Sequence, residues 1–144
     1  MSSLKDEILI RQMKAEDSNF VVNSWLRSLR SSSPYFHSIP EKIFYTAHKN
    51  GIIATIERPE AKCLIVTPKD SPDIIVGYLV YEDRNTPHYC LLHYCYVKHK
   101  FRGLGLANYL IGLVSNGRSL VSSHYSSKIK NLSFNPYMFK MERL

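Results

Sequence analysis

The sequence predicts a single mixed α/β domain, α+β in organisation, over residues 1–144. Three observations lead there. Short runs rich in Val, Ile, Leu and Tyr recur between turn-forming residues, as strands do. One stretch carries apolar residues at helical spacing, a second is opened by Pro40-Glu41, and a third is apolar at almost every position before it stops at Asn116-Gly117. At 144 residues, with no internal repeat and no linker-like stretch, the chain has room for one core and not for two.

Taken in order, Ile8–Met13 alternates around Ile8, Ile10 and Arg11 and reads as a strand. The acidic pair Glu16-Asp17 then suits a helix start. From Ser18 to Arg30 the spacing of Val21, Val22, Trp25, Leu26 and Leu29 makes an amphipathic helix, with Arg27 and Arg30 near its negative end. Ser31-Ser32-Ser33-Pro34 is a loop by composition. Pro40 and Glu41 open a second helix running to Ile56, against which Gly51 and the β-branched isoleucines weigh. Four strands follow at Lys62–Thr67, Asp73–Glu82, Tyr89–Lys98 and Ser119–Tyr125, the first three joined as hairpins through Pro-Lys-Asp-Ser-Pro and Asp-Arg-Asn-Thr-Pro. Between the last two lies Leu104–Ser115, greasy on all sides and therefore expected to be enclosed by the core.

Composition narrows the function classes. A hydrophobic fraction of 44% with 22% charged residues excludes disordered, collagenous and coiled-coil chains. No apolar run reaches the roughly 18 residues that cross a membrane, and the N-terminus lacks the apolar core of a signal peptide, so the cytoplasm is the expected location and no membrane partner is expected. Three cysteines without a secretion signal are expected as reduced, packed thiols. With 19 basic against 12 acidic residues the net charge is +7, which favours phosphates of any kind. Nucleic acid is disfavoured as the partner, because Lys5, Lys42, Lys62 and Lys69 are scattered singly and do not form a stripe.

The segment with most chemical content is Val97-Lys98-His99-Lys100-Phe101-Arg102-Gly103-Leu104-Gly105-Leu106-Ala107. It leaves a strand, passes through a basic turn with two glycines and enters a helix. Such a turn aims several unpaired N–H groups and the positive end of a helix into one small volume, which suits an anion. Lys98, Lys100 and Arg102 add positive charge there. These residues resemble the acetyl-CoA signature of the GNAT-type N-acetyltransferase superfamily: Arg or Gln, two residues, Gly, one residue, Gly or Ala, placed after the fourth strand. Arg102, Gly105 and Ala107 fill the three positions and Gly103 matches the common Arg-Gly start, while His99 stands where a Pro is frequent. The element order over residues 8–125 is similar to that fold as well.

The resemblance implies a mixed, mostly antiparallel sheet with helices on both faces, splayed between strands four and five. It implies acetyl-CoA as cofactor, its pantetheine arm on the backbone of Cys95, Tyr96 and Val97 and its pyrophosphate on the amides of Arg102, Gly103, Leu104, Gly105, Leu106 and Ala107. The implied reaction is direct attack by an amine of a small molecule or protein on the thioester in a ternary complex. The N–H of Val97 or a neighbour would serve the oxyanion, and Tyr125, with Tyr137 in reserve, would be the acid. His93, whose ordinary pKa near ~6.5 suits base work, and Glu82 are the candidate bases. The alternative is a non-catalytic acyl-CoA-binding or interaction protein that keeps the fold.

His88, Cys90, His93, Cys95 and His99 crowd together, but strand alternation sends His88 and Cys90 to one face and His93 and Cys95 to the other, so no metal is expected. After Tyr125, residues 126–144 are fewer than the helix and two strands usual in the family. This shortened tail is similar to stripped-down versions of the fold found in phage genomes, and it suggests a homodimer covering the sheet edge.

Overall fold

The computed structural model describes residues 4–31, 33–83, 89–122 and 133–134. They divide into two compact units, Met1–Gln12 with Lys62–Leu144, and Met13–Ala61.

The first unit is built on a sheet. A short helix α1 (Leu4–Glu7) leads into strand β1 (Ile8–Gln12). Strands β2 (Ala61–Pro68), β3 (Gly77–Glu82), β4 (Tyr89–Val97), β5 (Ser119–Ser122) and the two-residue β6 (Ser133–Phe134) complete the order β1-β2-β3-β4-β5-β6. β1 pairs antiparallel with β2, and β3 with β4, whereas β4 to β5 and β5 to β6 are parallel. The parallel β4–β5 step needs a crossover, and helix α5 (Leu106–Ser115) supplies it. The mixed, mostly antiparallel sheet is the one expected.

Three details differ from the sequence reading. Asp73–Val76 lies ahead of β3, because Ile74 N–H bonds back to the Ser71 carbonyl in a turn around Pro72. Gly77 begins the strand, and a Cβ there would stand 2.8 Å from the Tyr96 carbonyl oxygen, so only glycine permits this approach of β3 to β4. The helix expected from Leu104 begins at Leu106 and is not enclosed all round. Its stripe Leu106, Leu110, Ile111 and Val114 is buried against Val66, Leu79, Tyr81, Cys90 and Leu92 of the sheet, while Leu113 is exposed. Ten residues of helix packed on a sheet have only one face to bury. The helix ends as read, with Asn116 and Gly117 both at positive φ, and Arg118 returns its guanidinium to the carbonyls of Val114 and Ser115 while pairing with Asp83 at 2.9 Å.

The third difference is in β4. Val80 faces Tyr94 but Tyr81 faces Leu92, so His93 is an inserted residue at a β-bulge. The bulge shifts the parity of everything beyond it. Cys95 joins Cys90 and Leu92 on the α5 side, and His93 does not share a face with Cys95 as strict alternation had required.

The second unit is helical: α2 (Ser18–Ser31), α3 (Pro34–Ser38) and α4 (Glu41–Ile56), preceded by a 3₁₀ turn at Ala15–Asp17. α3 occupies part of the expected loop, because Ser33 caps it by accepting from Phe36 N–H and Pro34 takes its first position. Arg30 donates to the carbonyls of Ile39 and His37 and ties the end of α2 to the α3–α4 connection. α4 runs unbroken through Gly51, whose carbonyl accepts from Thr55 Oγ1 at 2.9 Å. Among the described residues no helix is long and apolar enough to cross a membrane.

Candidate functional site

The end of β4, the turn after it and the start of α5 form one continuous site within the first unit. Lys98 N–H donates to the Val76 carbonyl at 2.8 Å, which makes that pair hydrogen-bonded and fixes the alternation along the strand. Tyr94 and Tyr96 therefore direct their backbone groups to β3, and Cys95 and Val97 direct theirs to the opposite edge. On that edge the parallel ladder to β5 covers Tyr89–Leu92. Cys95 and Val97 lie beyond it and have no ladder partner among the described residues. Of the three positions expected along a pantetheine arm, Cys95 and Val97 thus present backbone to this edge, and Tyr96 instead stacks its ring on Tyr78 at 5.1 Å.

The chain then makes a 3₁₀ turn at His99–Phe101 and reaches Gly103 and Gly105, at φ of 83° and 81°. Both adopt the left-handed conformation that a side chain disfavours, and apart from each glycine and its chain neighbours nothing among the described residues lies within 4 Å of where a Cβ would stand. Gly105 caps α5 without a side-chain bond, and the helical ladder starts at Tyr109 N–H on the Gly105 carbonyl. The amides of Leu106, Ala107 and Asn108 consequently open outward with no intrahelical acceptor. Lys98, Lys100 and Arg102 are exposed around them, and Leu104 stands out at the crest of the turn. The side chain of Arg102 folds back, with Nε donating to the Val97 carbonyl at 2.8 Å.

Upstream on β4, the bulge brings the two candidate bases together. His93 Nε2 and Glu82 Oε1 are 3.0 Å apart, and both side chains are fully buried. Sequence reading proposed the two as alternatives; the structure makes them one hydrogen-bonded pair. Tyr78 packs against Tyr94 as well as Tyr96, an aromatic cluster that ten tyrosines in the sequence did not single out. Burial pushes the Cys95 thiol up to about 12 and raises that of Cys90. The candidate acid Tyr125 and the reserve Tyr137 lie outside the described residues.

The sequence matches the acetyltransferase (GNAT) family over residues 22–115. No curated protein matches it. Among solved structures, a proposed acetyl transferase from Pyrococcus furiosus is 15% identical with a TM-score of 0.64, over 95% of this chain and 91% of that one. A proposed acetyltransferase from Bacillus subtilis is 14% identical with a TM-score of 0.63, over 94% and 88%. A ribosomal-protein-alanine N-acetyltransferase from Brucella melitensis is 16% identical with a TM-score of 0.53, over 89% and 79%. At these identities the likeness is one of fold. The family match carries the assignment, since it spans well over half of the sequence and includes the glycine turn and its helix: the chain belongs to the GNAT family of acetyltransferases, whose acyl donor is acetyl-CoA.

Proposed function

We propose that the protein transfers an acetyl group from acetyl-CoA to an amine of a small molecule or protein. The observation that supports this most is the glycine turn at the head of α5, where open amides and exposed basic residues adjoin a β4 edge with backbone groups to spare. The fit to coenzyme A is chemical. A pyrophosphate wants N–H donors and room to approach, and Gly103–Ala107 offer both, the Arg102 N–H being already given to the His99 carbonyl; a pantetheine amide can pair with Cys95 and Val97 as a peptide strand would.

When bound, acetyl-CoA supplies the activated thioester. The remaining tasks fall to the chain. A backbone N–H of Val97 or its neighbour donates to the oxyanion that develops on the acetyl carbonyl. The His93–Glu82 pair, whose side chains have no exposed surface, receives the proton shed by the acceptor amine through water, Glu82 accepting from Nε2–H and so holding the imidazole in one orientation. Tyr125 donates a proton to the departing thiolate, which leaves as the free thiol. Cys95, though close to this edge, keeps its proton at neutral pH because its thiol titrates near 12, which supports direct transfer and not an acyl-cysteine. We place the protein in the cytoplasm and propose that it forms a homodimer, which light scattering tests: a monomer at micromolar concentration contradicts it.

Thiol release from acetyl-CoA, measured over a panel of primary amines and N-terminal peptides, tests the reading. One class of amine should yield thiol and acetylated product in equal amounts. Binding of acetyl-CoA with no thiol release from any amine would contradict it and favour a non-catalytic acyl-CoA-binding protein.

A further inference from the structure

Arg102 is an exposed basic residue beside a proposed phosphate site, which makes a phosphate contact its obvious role. Its geometry is different. Nε is directed back along the chain by five positions onto the Val97 carbonyl at 2.8 Å, at the strand edge that faces away from β3. Two further bonds close the same stretch, from Phe101 N–H to the Lys98 carbonyl at 2.8 Å and from Arg102 N–H to the His99 carbonyl at 3.2 Å. The last residue of β4 and the first residue of the glycine turn are thereby joined through a side chain, while backbone bonds close the residues between them.

The geometry points to Arg102 as a positioning residue that clamps the end of β4 to the glycine turn, and not as a charge on the cofactor's phosphates. This inference rests on the acetyl-CoA site proposed above. A ligand that touches both the strand edge and the turn amides binds better when the two are already aligned, because no freedom is lost in aligning them. The clamp also satisfies the Val97 carbonyl, so that Val97 offers the ligand its N–H. Lys98 and Lys100, exposed on the same turn, remain to supply charge.

Bond counting separates the two roles. The amide nitrogen of glutamine stands the same number of bonds from Cα as arginine Nε, so Arg102→Gln keeps the donor and loses the charge. Lysine places a methylene at that position, so Arg102→Lys keeps the charge and loses the donor. Methionine has neither. Acetyl-CoA affinity is measured by calorimetry on all four proteins, at ~50 and ~300 mM salt, after ligand-free melting has checked that each is folded. The clamp predicts Arg102→Gln within about three-fold of the parent with the same salt dependence, and Arg102→Met and Arg102→Lys about ten-fold weaker, the cost of one charge-assisted hydrogen bond. The reverse order, with Arg102→Lys close to the parent and Arg102→Gln weaker and less salt-sensitive, overturns the clamp. Four equal affinities overturn it too. Absence of binding by the parent protein is a separate result, which defeats the acetyl-CoA site itself and the clamp with it.

Discussion

His93 and Glu82 are two polar groups with no exposed side-chain surface, and each is a hydrogen-bond partner of the other. Removing one partner leaves the other buried, so Glu82→Ala should lower stability by about 3 kcal/mol in chemical denaturation. Glu82→Gln keeps an acceptor for the imidazole and should fold with a smaller loss. If the pair takes the amine proton, His93→Gln should lower kcat by about a hundred-fold or more while leaving acetyl-CoA affinity close to that of the parent. A loss of affinity equal to the loss of turnover would instead indicate collapse of the bulge. Cys95 gives a prediction in pH. Its thiol rises in the folded state from the ordinary 9.0 to about 12, so folding favours the protonated form. That contribution is complete below pH ~9 and is lost as the pH climbs toward 12. Stability should therefore decline across this alkaline window, and Cys95→Ala should flatten the decline; a pH-independent melting temperature there would contradict the buried thiol.

At the scale of elements, the turn and helix after β4 were the most legible part of the chain. Gly103, Gly105 and Asn116-Gly117 mark backbone conformations that few other residues adopt, so composition alone locates the turn and the C-terminal end of α5, whereas its start was read two residues early. The bulge at His93 left no such mark. Leu91 and Leu92 are both buried although they are neighbours in the strand, so one inserted residue breaks no visible alternation. The same limit applies to α5, where Leu113 and Leu110 look alike in sequence but only one meets the sheet. Leu110→Ala should cost about 2–5 kcal/mol and Leu113→Ala nearly nothing, as read from denaturant midpoints. Gly77 was unmarked for another reason: its role is set by an oxygen on the neighbouring strand. Gly77→Ala must push the Tyr96 carbonyl from 2.8 Å, at a cost of about 1–3 kcal/mol, and a wild-type melting temperature would show that β3 and β4 are less closely held.

For the whole molecule, the net charge of +7 acquires a partial address, since Lys98, Lys100 and Arg102 gather on a turn whose amides already favour anions. The cofactor half of the family pattern is thus carried by a short, locally encoded stretch, whereas no motif for the acceptor stands in the sequence. We propose that the turn at Arg102–Ala107 binds acetyl-CoA. Calorimetric titration of acetyl-CoA into the parent protein and into Gly105→Asp tests it most directly. Aspartate tolerates the left-handed conformation better than most side chains but sets a carboxylate among the amides meant for phosphate. Saturable binding by the parent, lost in a Gly105→Asp variant that still melts cooperatively, is the predicted result. No heat of binding to the parent at hundreds of micromolar acetyl-CoA, or equal binding by both proteins, would contradict it.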